Sequence, residues 1–137
     1  MWSSRKQGPP VTPAPTTKAR GDAAEDAALG HLQRQGLKLV QRNFKTPGRG
    51  GGEIDLIMRE PGGTLVFVEV RQRASQRHGG AGASITPVKQ RRIVLAARHF
   101  LLRLGSQPPC RFDVVLIDGS GGQIDWLRAA FDASGAF

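Results

Sequence analysis

The spacing of apolar positions predicts a helix, three strands, a second helix and a fourth strand, with one more short strand at the end. Ala24, Ala27, Ala28 and Leu32 recur at helical intervals and form a narrow apolar stripe. Just ahead of that stripe Asp22 and Glu25 stand three residues apart, a capping-box pattern that sets the helix start at Asp22. Gly36 supplies its stop. Leu37 to Phe44 opens on apolar and polar alternation and predicts a short strand, whereas Pro47-Gly48-Arg49-Gly50-Gly51-Gly52 is too glycine-rich for either element. Glu53–Met58 and Leu65–Arg73 are rich in Ile, Leu, Val and Phe, and Pro61-Gly62-Gly63 turns them into a hairpin. Gln72 to Ser84 has three glycines and no apolar period, which predicts a mobile basic loop. Thr86-Pro87 then opens the longest helix, with Thr as cap and Pro in the first turn. Val88, Ile93, Ala96, Ala97, Phe100, Leu101 and Leu104 form its apolar face, and Gly105 ends it. Arg111 to Ile117 reads as a buried strand, and Ile124 to Leu127 as a last short one beyond a glycine-rich turn. The core order is αβββαβ.

Composition narrows the class. The 137 residues have room for one domain, assigned to 21–137. Residues 1–20 hold four of the nine prolines and four bases without an acid, the make-up of a disordered tail. No apolar run approaches the ~18–20 residues of a membrane span, and no secretory core is present. A single cysteine, Cys110, rules out an internal disulfide framework. These features predict a soluble, cytoplasmic protein without a membrane partner.

The formal net charge is +9, from 20 Lys and Arg against 11 Asp and Glu. Four of those positive charges sit in the tail. The rest concentrate between Glu69 and Asp113, where nine bases occur without one acid, Arg71, Arg73, Arg77, Lys89, Arg91 and Arg92 among them. A solvated face is the plain reading of such a run. Nine bases with no acids for i,i+4 pairing favour an anionic ligand, because a clustered basic patch is the electrostatic footprint of nucleic-acid binding.

The acids make the basic window informative. Strand alternation puts Glu53 and Asp55 on one face of the hairpin, with Ile54, Leu56 and Met58 on the other. In the next strand Leu65, Phe67, Glu69, Arg71 and Arg73 share a face, opposite Val66, Val68 and Val70. A turn centred on Gly62 pairs residues whose numbers sum to 124, so Asp55 faces Glu69 and Glu53 faces Arg71. Like charges directly opposed in a sheet destabilise it. Two carboxylates so placed need a counter-charge, and a hard divalent cation with oxygen ligands supplies one. The plain alternative is a solvent-facing hairpin end on which Glu53 pairs with Arg71.

Five ordered blocks resemble a known family. They are Ala24-Glu25; Gly52-Glu53-Ile54-Asp55-Leu56-Ile57; Val66-Phe67-Val68-Glu69-Val70-Arg71-Gln72-Arg73; Lys89-Gln90-Arg91-Arg92-Ile93; and Arg111-Phe112-Asp113-Val114-Val115. Together they resemble the uncharacterised bacterial YraN-like family over roughly residues 19–118. The resemblance implies the restriction-endonuclease-like fold, an α/β domain whose mixed central sheet is flanked by helices, with a PD-(D/E)xK signature on the hairpin. It implies Asp55 as the signature's Asp, Glu69 as its second acid and Arg71 in the place of its Lys. Glu25 would be the helical acid of the Holliday-junction-resolvase branch, and Ile54 stands where the signature has Pro. Arg stays protonated, so Arg71 could serve only as a charge stabiliser.

The activity so implied is that of a divalent-metal-dependent nucleic-acid phosphodiesterase, with DNA the leading substrate. Asp55, Glu69, the Val70 carbonyl and Glu25 would hold Mg²⁺ or Mn²⁺. Arg73, Arg77, Lys89, Arg91 and Arg92 would contact phosphates. Nucleases of this fold that act on branched DNA often work as symmetric pairs, which makes a homodimer an expectation. Bland readings stand beside these: Glu25 as the capping-box acid, Asp113 as a structural acid, Trp126 as packing, and His31, His78 and His99 as surface residues without ligand spacing. A non-catalytic nucleic-acid-binding module on the same fold is the alternative function, and a protein-interaction subunit using the basic helix against an acidic partner is a third reading.

Overall fold

In the computed structural model the described residues are 16–48, 50–73, 85–119 and 122–133. They form α1 (Thr17–Arg34), β1 (Lys38–Lys45), β2 (Glu53–Arg59), β3 (Leu65–Arg73), α2 (Pro87–Leu104), β4 (Cys110–Asp118) and β5 (Ile124–Phe131). The five strands lie in sequence order in one sheet. β1–β2, β2–β3 and β4–β5 pair antiparallel. β3–β4 pair parallel, and α2 makes the crossover a parallel connection requires.

Each helix covers one face of the sheet. Ala24, Ala28 and Leu32 of α1 pack on Leu56, Met58, Val66, Val68, Val115 and Ile117. Ile93, Val94, Ala96, Ala97 and Phe100 of α2 pack on Phe44, Ile54, Ile57, Leu65, Phe67 and Phe112. The sheet is thus buried on both sides, which explains why its central strands read as near-continuous apolar runs. Among the described residues no helix is long and apolar enough to cross a membrane.

α2 runs between its predicted bounds. The Thr86 side chain accepts from the Lys89 N–H at 3.1 Å, and Gly105 closes the helix in the left-handed region at φ 77°. α1 begins earlier than the capping-box reading has it. Thr16 is the cap, its side chain accepting from the Ala19 N–H at 3.0 Å, while Asp22 pairs with Lys18 one turn back at 2.9 Å. Glu25 is therefore mid-helix and caps nothing. The last four residues of the segment read as a disordered tail, Thr17 to Arg20, are helical, and residues 1–15 lie outside the described residues.

The hairpin register matches the expectation from Leu56↔Val68 to Arg59↔Leu65. Beyond Leu56 the ladder stops, so Glu53 is not paired with Arg71. It lies instead opposite Lys45 of β1. Strict alternation also fails here. Ile54 packs with Phe44 on the α2 side, whereas Leu56 and Met58 pack on the α1 side. The break sits at Asp55, beside Asn43, whose φ of 52° is left-handed and turns β1 at that point. β5 is longer than its predicted short strand, because a bulge opposite Asp113 carries it on to Phe131.

The loop before β2 is laid directly on α2. A Cβ on Gly52 would stand 2.0 Å from the Arg92 carbonyl oxygen, a backbone atom that cannot swing aside. Gly52→Ala is expected to cost about 1–3 kcal/mol through overpacking. Thermal melting checks this; an unchanged melting temperature would mean that the loop lifts off the helix at no cost.

Candidate functional site

Past the last ladder pair β2 and β3 part, and the Asp55 carboxylate fills the gap. Its Oδ2 accepts the Val70 N–H at 2.8 Å. The same carboxyl shares a hydrogen bond with Glu69, whose residue is only 7% exposed. Burial, and then the Glu69 charge, push the Asp55 carboxyl up to about 7, against the opposing pull of the Val70 N–H. Near neutral pH the Asp55 carboxyl therefore still holds its proton in part of the molecules, beside Glu69.

Three further groups approach from three elements. Lys89, in the first turn of α2, holds its Nζ 3.4 Å from Glu69 Oε2. Glu25 on α1 faces Asp55 from the other side of the sheet; burial raises its pKa first and the Asp55 charge second, with Arg42 opposing. Arg42 of β1 lies 3.5 Å from Glu25 Oε1 and makes its closer bond, at 2.8 Å, to Asp26. Glu25 Oε1 consequently remains a buried oxygen without a hydrogen-bond donor. Arg71 and Glu53 complete the neighbourhood: Arg71 is half-buried two residues beyond Glu69, and Glu53 is exposed at the head of β2.

The residues named from the sequence do not all converge. Asp55 and Glu69 do, and Glu25 approaches Asp55 from α1 without closing a three-acid cluster. Arg73 is tied elsewhere, to Asp118 at 2.6 Å and Asp125 at 2.5 Å, so its guanidinium fastens the end of β3 to β4 and β5. Arg91 and Arg92 are exposed on α2, and Arg77 lies outside the described residues. Asp113 is structural: fully buried, it binds the side chains of Arg111 and Trp126 and a backbone N–H of β5. The contact between Lys89 and Glu69 was missed as a feature of the acidic centre. Its only sequence signal is a base just after the Thr-Pro helix start, since the meeting itself spans two elements.

Among the described residues no three His, Cys, Asp or Glu side chains lie close enough together to hold a metal ion. The donor set still suits a hard cation. Mg²⁺ keeps several waters and takes only one or two protein carboxylates, which the Asp55–Glu69 pair supplies. The undonated Glu25 oxygen and the proton retained on Asp55 are both features that a divalent cation would relieve.

An α/β domain with a mixed sheet, an αβββαβ core and paired carboxylates at the parting end of its central hairpin is compatible with a restriction-endonuclease-like core. The pattern of the Uncharacterised protein family UPF0102 matches residues 24–117, and the chain belongs to that family, in agreement with the YraN-like blocks. A UPF0102 protein of Polaromonas naphthalenivorans is 60% identical, with the alignment covering 98% of this chain and all of that protein. One from Albidiferax ferrireducens is 67% identical over 86% of this chain and 91% of its own length. One from Paracidovorax citrulli is 68% identical over 86% of both chains.

Proposed function

We propose that the chain is a divalent-metal-dependent nucleic-acid phosphodiesterase acting on DNA. The observation that carries this reading is the close pairing of half-buried Asp55 with buried Glu69 at the parting end of the hairpin, with Lys89 on Glu69. Asp55, Glu69 and the Val70 carbonyl would hold Mg²⁺ or Mn²⁺, with Glu25 beside them. Such an ion, when bound, lowers the pKa of a water and offsets charge on the phosphate under attack.

The chain's own cations divide the remaining work. Lys89 sits on Glu69, so its ammonium both holds that carboxylate in place and presents positive charge to an incoming phosphate. The Arg71 guanidinium stabilises the charge that develops on the phosphate oxygens. Arg91 and Arg92 meet flanking phosphates, which position a strand without reading its bases. Arg73 contributes indirectly, by fixing the end of the strand that carries Glu69.

The test is cleavage of labelled duplex, single-stranded and branched DNA, and of RNA, in Mn²⁺ and in EDTA. Wild-type protein is expected to cut DNA in Mn²⁺ only. Glu69→Ala is expected to lose more than about 100-fold, since even the outer partners of metal ligands are worth roughly 10–100-fold. Gel shifts without cleavage would point instead to a nucleic-acid-binding module, and neither outcome to a protein-binding subunit. Equal cutting by Glu69→Ala would remove Glu69 from the site.

A further inference from the structure

Beside the carboxylates, on the α2 side of β2, lies a pocket of about 370 Å³, walled by Thr46, Gly48, Gly51 and Gly52 and by the first turns of α2. Lys45, Lys89 and Arg92 line it against a single acid, Glu53. Lys89 is paired with Glu69 and Lys45 stands opposite Glu53, so Arg92, which has no ion pair among the described residues, is the surplus positive charge of the cavity. Its first helical turn adds no acid.

The wall is built rather than incidental. The Thr46 Oγ1 accepts the Gly52 N–H at 2.8 Å and the Thr46 N–H donates to the Gly52 carbonyl at 3.1 Å, closing the loop on itself. Glycine at 51 and 52 lets that closed loop sit against Thr46 and the α2 backbone. Three cations against two acids, Glu53 in the lining and Glu69 on Lys89, are thereby gathered around one cavity, a net positive charge that favours an anion there.

We infer that this pocket is a phosphate subsite, holding the backbone phosphate next to the one at Asp55 and Glu69, so that the substrate is a strand that continues past the cut. Glu53 lines the pocket and Asp55 lies two residues further along β2. That step is about 7 Å at ~3.4 Å per residue, comparable to the step between successive phosphates of a strand. Lys89 joins the two places, lining the pocket while touching Glu69. The assignment of the neighbouring site rests on the nuclease reading above; the affinity of the pocket for phosphate does not.

Lys45→Met, Arg92→Met and the double variant test it, both positions being exposed. The first measurement is binding of a short single-stranded oligonucleotide in EDTA as salt is varied. Each neutralised phosphate contributes about 0.7 to the salt slope of single-strand binding. Because both cations serve one phosphate, the double variant should lose about 0.7 and each single variant less, since the cation that remains still neutralises it. An unchanged slope overturns the subsite. So does an additive loss of about 1.4, which describes two independent surface contacts.

The second measurement is cleavage in Mn²⁺ of strands carrying one uncharged methylphosphonate linkage. Moving it to the position adjacent to the cut should slow the wild type, and should slow the double variant no further. Cleavage with an unchanged slope would leave the nuclease standing and remove the subsite. The expected slope without any cleavage would do the reverse. Failure of the wild type to bind any oligonucleotide overturns both.

Discussion

Asp55→Asn is expected to melt higher than the wild type at pH 8 in EDTA while losing the proposed DNA cleavage altogether. The carboxyl is displaced from 3.8 to about 7 by burial and by Glu69. A carboxyl raised in the folded state stabilises the fold only while protonated. That contribution is complete below 3.8, declines as pH rises and is gone above about 7. The full displacement corresponds to roughly 4 kcal/mol. Asn keeps an oxygen for the Val70 N–H and cannot ionise against Glu69. The variant should therefore gain about 5 °C or more at pH 8, an advantage that shrinks steadily towards pH 4. Mn²⁺ should raise the melting temperature of the wild type and not of the variant, because an ion bound only by the folded state stabilises it. Melting at or below the wild type at pH 8 would remove the like-charge account of the pair. Activity bought with stability is the trade expected of a functional site.

How far this site was legible depended on how local its causes are. Thr86-Pro87 and Gly105 bound α2 by their own chemistry, and the Pro61-Gly62-Gly63 turn fixed the hairpin register that brings Asp55 to Glu69. Both features are written in a few neighbouring residues. The start of α1 was obscured because Thr16, its true cap, stands next to a proline-rich stretch, while Asp22 and Glu25 imitate a capping box. The change of face at Ile54 coincides with the left-handed Asn43 on the neighbouring strand, which no alternation within β2 can register. The pairing of Lys89 with Glu69 and of Arg42 with Glu25 spans elements far apart in sequence, so each depends on the assembled fold. The basic window likewise divides once folded: Arg73 and Arg111 are bound to acids, whereas Arg92 faces the pocket.

Asp113→Ala should show the opposite pattern, a large loss of stability with chemistry intact. Asp113 is fully buried in β4, on the strand beside β3. It accepts from Arg111 Nε at 3.0 and 3.2 Å, from Trp126 Nε1 at 2.8 Å and from the Ala129 N–H at 2.9 Å. Ala129 has a φ of 51°, a left-handed conformation for a residue with a Cβ, and the hydrogen bond to Asp113 holds it there. Removing the carboxylate leaves a largely buried guanidinium with Glu60 as its remaining ion-pair partner, an indole N–H without an acceptor and an unsupported bulge. Breaking a buried pair from one side costs about 3–5 kcal/mol, mostly through the charge left behind. Arg111→Met in the same chain removes that charge, so the double variant should recover part of the loss, while Glu60→Ala alone, at the more exposed pair, should cost at most ~1 kcal/mol. Denaturant unfolding of the wild type, Asp113→Ala, Arg111→Met and their double variant measures the coupling directly. Cleavage per folded molecule, assayed well below the lowered melting temperature, should equal that of the wild type, because Asp113 anchors β5 through Trp126 and Ala129 and takes no part in the Asp55–Glu69 pair. Additive losses in the double variant would mean that Arg111 is not the charge left behind, and selective loss of cleavage in a folded Asp113→Ala protein would tie β5 to the chemistry after all.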